Sequence, residues 1–128
     1  MDLIFVSGAS SGIGSALTSH LSNLPDVVVA TFSRSEIDIP HHLSVDLSNP
    51  SGWPEVAVWM DSVVDLVRPG ALWFFHCAAT LSPIGFAGEV DPDAYASNVL
   101  LNSASPQVLG GRFIAIAKRL GVPAVMVQ

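Results

Sequence analysis

Near the start of the chain, Ser7-Gly8-Ala9-Ser10-Ser11-Gly12-Ile13-Gly14 sets three glycines among three serine hydroxyls. That composition suits holding an anion rather than breaking a bond. Glycine supplies backbone that turns tightly and lets a ligand approach its N–H groups, while a helix starting there points unpaired N–H groups and the positive end of its dipole at bound charge. A glycine-rich turn alone is equally consistent with a purely structural bend, so the flanks decide. Before it, Leu3-Ile4-Phe5-Val6 reads as a buried strand; after it, Ile13, Leu17, Leu21 and Leu24 recur at helical spacing. Strand, glycine turn and helix together predict a cradle for the pyrophosphate of a dinucleotide. One glycine would serve the tight turn, one the approach of the phosphates and one the packing of helix on sheet.

The remaining elements follow the same alternation. Asn23-Leu24-Pro25-Asp26 is turn chemistry, and Val27 to Phe32 is a β-branched run expected to be a strand buried on both faces. Strand, helix and strand fill about 30 residues, the size of a βαβ crossover. Ser33 to His42 is too short and irregular for a second full helix, so a loop is expected to lead directly to a short strand at Leu43-Ser44-Val45. His41 and His42 then fall in that loop. Trp53, Val56, Trp59, Met60, Val63, Val64 and Val67 mark one face of a helix that Pro69-Gly70 stops. Ala71 to His76 is a fourth strand. Cys77-Ala78-Ala79-Thr80 forms the small-residue turn at its carboxyl end, and Leu81 to Asp91, with Pro83, Gly85 and Gly88, is a loop. Asp91-Pro92-Asp93 starts a helix predicted to run to Leu120, interrupted or bent by Pro106 and Gly110-Gly111, with a stop at Gly121; Pro123 to Gln128 begins a fifth strand. The fold class expected is therefore α/β, a Rossmann-type doubly wound parallel sheet truncated after the fifth strand. Residues 1–128 would form one dinucleotide-binding domain, incomplete at its C-terminus.

Composition narrows the function classes. The chain has 128 residues, half of them hydrophobic and 12% charged, with a net charge of −6. That acidic balance, without any Lys/Arg cluster, argues against nucleic acid. The apolar runs fall far short of the ~20 residues that cross a bilayer, and Asp2 stands where a signal peptide would be basic, so a cytoplasmic setting is expected. The high apolar fraction predicts a partner surface, most simply in a homo-oligomer. Cys77 is the single cysteine, and it reads either as a reactive thiol or, better, as a small buried hydrophobe. No Cys/His spacing suggests a metal, since the side chains of His41 and His42 diverge.

These motifs resemble the short-chain dehydrogenase/reductase family over the whole chain. The family's Thr-Gly-x-x-x-Gly-x-Gly is represented by Ser7 to Gly14, with serine keeping the hydroxyl. The resemblance implies that Gly8, Ser10, Ser11, Gly12, Ile13 and Gly14 surround the adenosine ribose and the phosphates. Members that prefer NAD carry an acid after the second strand, whereas this chain has Ser33-Arg34-Ser35. A guanidinium fork suits a 2′-phosphate, so NADP(H) is expected over NAD(H); the alternative is an ordinary surface arginine. Asp46-Leu47 matches the pair whose carboxylate accepts the adenine amino group, although Asp46 is equally able to cap its own turn. His76-Cys77-Ala78-Ala79 replaces the family's Asn-Asn-Ala-Gly and departs from it at three positions, leaving Cys77, Ala78 and Ala79 as small residues beside the cofactor. Asn98 and Asn102 compete for the family's catalytic asparagine. Val99 to Pro106 favours Asn102, which by resemblance loosens the helix and holds a water in a proton relay; its plain alternative is an amide bonded to a nearby carbonyl. Thr80 to Gly85 is similar to the subgroup containing benzil and sepiapterin reductases.

The resemblance implies hydride transfer from NADPH to a small carbonyl substrate. The family's serine and Tyr-x-x-x-Lys carry that chemistry, and no Tyr-x-x-x-Lys occurs here, Tyr95 being the only tyrosine. The expectation is a cofactor-binding half that does not catalyse by itself. The other reading is a non-catalytic nucleotide-binding or partner-binding module.

Overall fold

A computed structural model describes all 128 residues. Four apolar runs and the polar His41–Ser44 form five strands, β1 (Asp2–Ser7), β2 (Val27–Ser33), β3 (His41–Ser44), β4 (Ala71–His76) and β5 (Ala124–Val127). All pair in parallel in the order β3-β2-β1-β4-β5. The helices are α1 (Gly12–Leu21), α2 (Gly52–Val67), α3 (Pro92–Val99) and α4 (Ser105–Leu120), with a π-helical turn at Leu100–Ala104 joining the last two. From β1 the chain moves outward through β2 to β3, then returns to the other side of β1 for β4 and β5. This reversal between β1 and β4 is where α/β sheets leave a crevice at their carboxyl ends.

The alternation of strand side chains builds two unequal layers. Leu3, Phe5, Phe32, Leu72 and Phe74 project toward α2 and α4, where they meet Val56, Met60, Val64, Leu109 and Phe113. Phe113 stands edge-on to Phe5 and Phe74, with ring centroids 6.4 and 5.7 Å away, the geometry that aromatic quadrupoles favour. On the opposite face Ile4, Val6, Ala9 and Leu21 form a small cluster under α1. No helix of the structure is long and apolar enough to cross a membrane.

Several expectations are corrected here. Helix α1 turns Gly14, Thr18 and Leu21 inward, while Ile13 is 80% exposed and Leu24 lies beyond the helix and outside the core. In the first turn of α1, Gly14 packs on the Gly8 carbonyl while Ile13 faces the cleft. In β2 only Ala30 to Ser33 are buried, because the short β3 pairs with those four residues and leaves Val27 to Val29 without an outer neighbour. His41 and His42 belong to β3 rather than to the loop, paired in register with Ala30 and Thr31, and Val45 follows the strand. The long C-terminal helix breaks at Leu100–Ala104, ahead of Pro106, and runs straight through Gly110-Gly111. Gly110 packs against Met126, whose sulfur would lie 2.8 Å from a Cβ there.

Candidate functional site

The crevice between β1 and β4 is a cleft of about 510 Å³. Each glycine of the first turn meets different surroundings. Gly8 has φ +65°, and a Cβ would lie 2.7 Å from the backbone of Ala78, so the turns after β1 and β4 touch only because this residue has no side chain. Gly12 has φ +56° and faces open space. Gly14 does not line the cleft; a Cβ on it would collide with the carbonyl of Gly8, so it lets α1 lie against the turn. Ser11, at the N-terminus of α1, is extended, and its side chain caps none of the helix's free N–H groups. Those donors therefore remain available to an anion beside Gly12.

Ser7 ties the two turns together. Its Oγ accepts from the N–H groups of Cys77 (3.0 Å) and Ala78 (3.1 Å) and lies 2.9 Å from Nδ1 of His76. With two donors already on the oxygen, the hydroxyl proton points to Nδ1, so His76 carries its own proton on Nε2. That Nε2 is buried without a partner, and burial pulls the pKa of His76 below the usual value, against a smaller opposing effect of the Ala78 backbone. Burial also pushes the Cys77 thiol up, away from the reactive thiolate. Its side chain packs on the apolar cluster under α1, in keeping with a small hydrophobe.

Of the remaining sequence candidates, Gly8, Ser10, Ser11, Gly12, Ile13, Ser33, Arg34, Asp46, Leu47, Cys77, Ala78 and Ala79 all border the cleft. Asp46 closes its own turn by accepting from the N–H and hydroxyl of Ser48 through Oδ1, at 3.0 and 2.7 Å. It caps the turn and borders the cleft at once. Asn102 stands behind the wall rather than in it. Its amide pairs both ways with the backbone of Thr80, Oδ1 accepting from N–H at 2.9 Å and Nδ2 donating to the carbonyl at 2.7 Å.

Asn98, one helical turn earlier, borders the cleft itself and donates to the carbonyl of Ser82 at 2.9 Å. Thr80 and Ser82 are not among the expected site residues; Asn98, the competing candidate for the catalytic asparagine, borders the cleft where Asn102 does not, and their i, i+4 spacing places both amides on one helix face. The donors at Gly12, the guanidinium of Arg34 and the polar rim of Ser33 and Asp46 together suit an extended, phosphate-bearing ligand.

No protein-family model matches this sequence, and no curated protein matches it. Among solved structures, the fold is similar to a short-chain dehydrogenase/reductase from Burkholderia vietnamiensis, with 24% identity, a TM-score of 0.79, and coverage of 89% of this chain and 56% of that one. A Saccharomyces cerevisiae short-chain dehydrogenase/reductase matches at 24% identity and TM-score 0.78, over the whole of this chain and 53% of the other. A 4-hydroxyisoleucine dehydrogenase complexed with NADH and succinate matches at 20% and 0.74, over 93% and 54%. At these identities the likeness is one of fold, and the chain spans a little over half the length of each of these structures.

Proposed function

We propose that residues 1–128 form the NADP(H)-binding portion of a short-chain dehydrogenase/reductase whose substrate is a small carbonyl compound. The observation that carries this reading is the cleft at the β1/β4 reversal, where Gly12 and the free N–H groups of α1 face open space and Arg34 stands on the rim. The residues present fit a dinucleotide. The α1 N-terminus would hold the pyrophosphate, Arg34 a 2′-phosphate, Asp46 the adenine amino group, and Cys77, Ala78 and Ala79 leave room for close approach along the β4 turn. A bound nicotinamide would supply hydride to the carbonyl carbon. The fold likeness to a dehydrogenase complexed with NADH supports a dinucleotide of this class, and Arg34 is the reason to favour the phosphorylated form.

Asn102 is proposed as the family's catalytic asparagine, since the helix departs from α geometry around it and its amide engages the turn after β4. Its backbone in that irregular turn would hold a water of the proton relay. No Tyr-x-x-x-Lys accompanies it, so this chain is proposed to bind without turning over.

Calorimetric titration with NADPH and NADH tests the reading. Binding of NADPH is expected, tighter than NADH. Arg34→Ala should weaken NADPH by about tenfold and leave NADH nearly unchanged, the loss of one charge-assisted contact. No binding of either dinucleotide would overturn the proposal; equal losses in Arg34→Ala would remove the preference for NADP(H).

A further inference from the structure

We infer that His42 is a positioning residue for Arg34 and thereby a determinant of which dinucleotide the cleft accepts; this rests on the reading of Arg34 as the partner of a 2′-phosphate. Arg34 opens the crossover from β2 to β3, a segment without a helix to hold it. A long side chain on such a loop loses much of its binding energy to ordering unless the backbone is held in advance.

The structure holds that backbone through β3. Thr31, fully buried on β2, is the register partner of His42. Thr31 Oγ1 lies 2.8 Å from Nδ1 of His42, and Nε2 of the same ring lies 3.0 Å from the carbonyl oxygen of Ser35. That oxygen accepts only, so Nε2 donates to it; in the neutral ring Nδ1 is then bare and accepts from the Thr31 hydroxyl. The same carbonyl also accepts from Ser33 Oγ at 2.8 Å. Ser33 itself is buried.

Arg34 is thus bracketed by two fixed residues, Ser33 in the strand and Ser35 pinned from two directions. One residue further on, Ser44 of β3 donates to the carboxylate of Glu36, so β3 grips the loop a second time. A relay from a buried threonine through an imidazole to a loop carbonyl aims the guanidinium without touching the ligand.

A merely structural role for His42 would affect both dinucleotides alike, whereas an aiming role affects the phosphorylated one selectively. The experiment is calorimetric titration of the whole chain with NADPH and with NADH, for wild type, Arg34→Ala, His42→Ala, Thr31→Val and Thr31→Ser, with thermal melting of each. The expected result is that His42→Ala and Thr31→Val weaken NADPH by about five- to tenfold, in line with a mis-aimed charged contact, and NADH by less than about twofold. Thr31→Ser, which keeps the hydroxyl, retains the wild-type ratio, and Thr31→Val serves if His42→Ala melts before it can be titrated. Equal losses for both dinucleotides, or an unchanged ratio while Arg34→Ala is selective, would overturn the role of His42 alone. Equal losses in Arg34→Ala itself would overturn the 2′-phosphate reading, and the inference with it.

Discussion

His76 stands where the end of β4 meets the first glycine turn, and its surroundings leave room for the neutral ring only. Ser7 already accepts two N–H groups and gives its proton to Nδ1, so protonation there would set a donor against a donor. Burial holds the folded pKa below its ordinary value. The unfolded chain therefore binds a proton that the folded chain refuses, and the sign of the linkage follows: the stabilisation is whole above the unfolded histidine value of about 6.5 and is lost as pH falls from there toward the lowered folded value. Denaturant unfolding between pH 8 and pH 5 should show that decline. In His76→Asn, whose amide does not titrate, the slope should be shallower; an identical slope would mean that His76 is not the group responsible. Ser7→Ala leaves the Cys77 and Ala78 N–H groups without their acceptor and should cost about 1–3 kcal/mol in the same measurement.

At the scale of elements, the strands were legible because parallel strands buried between helices write themselves as apolar runs, as Leu3 to Val6 and Ala71 to Phe75 do. Helix α2 was legible for a related reason: Val56, Met60, Val63 and Val64 all fall on its buried face. What escaped depends on tertiary partners. His41 and His42 read as loop because they are polar, yet backbone pairing with β2 places them in a strand and Thr31 and Ser35 satisfy the ring of His42. The π-helical turn leaves the apolar pattern around it intact, so only the resemblance, through Asn102, pointed to a loosened helix there, and the two hydrogen bonds between Asn102 and Thr80 show what the irregular turn accommodates. Most of the cleft was legible from the glycine motif and Asn98 from its helix, whereas Ser82 enters it through a loop whose path no local pattern encodes. Replacing Asn102 with alanine should release Thr80, seen as faster amide exchange from Thr80 to Ser82 with little change in α4. The hold of α4 on the sheet lies elsewhere, in Phe113 wedged between Phe5 and Phe74. Phe113→Ala should lower unfolding free energy by about 3–5 kcal/mol.

For the whole molecule the open question is how an acidic chain with so much apolar surface behaves at concentration. The sheet has β5 at one margin, hydrogen-bonded to β4 only, with Val125 and Val127 both more than 40% exposed and Ile114 and Val108 of α4 exposed as well. An unpaired parallel edge with apolar side chains invites pairing with another chain, and no lysine, proline or bulge lies within β5 to discourage it. The net charge of −6 opposes association, but at physiological ionic strength charges more than about 8 Å apart are largely screened. Edge pairing and apolar contact act at shorter range than that, so association is expected to win as concentration rises. Sedimentation velocity over a hundredfold dilution series should show the mean mass falling with dilution, and Val127→Lys, which puts a charge on the edge, should shift the curve toward the monomer. Salt separates the two forces. Raising ionic strength should strengthen association by screening the shared negative charge while leaving the apolar contact intact; association that weakened with salt would mean that ion pairs, and not the β5 edge, hold the chains together.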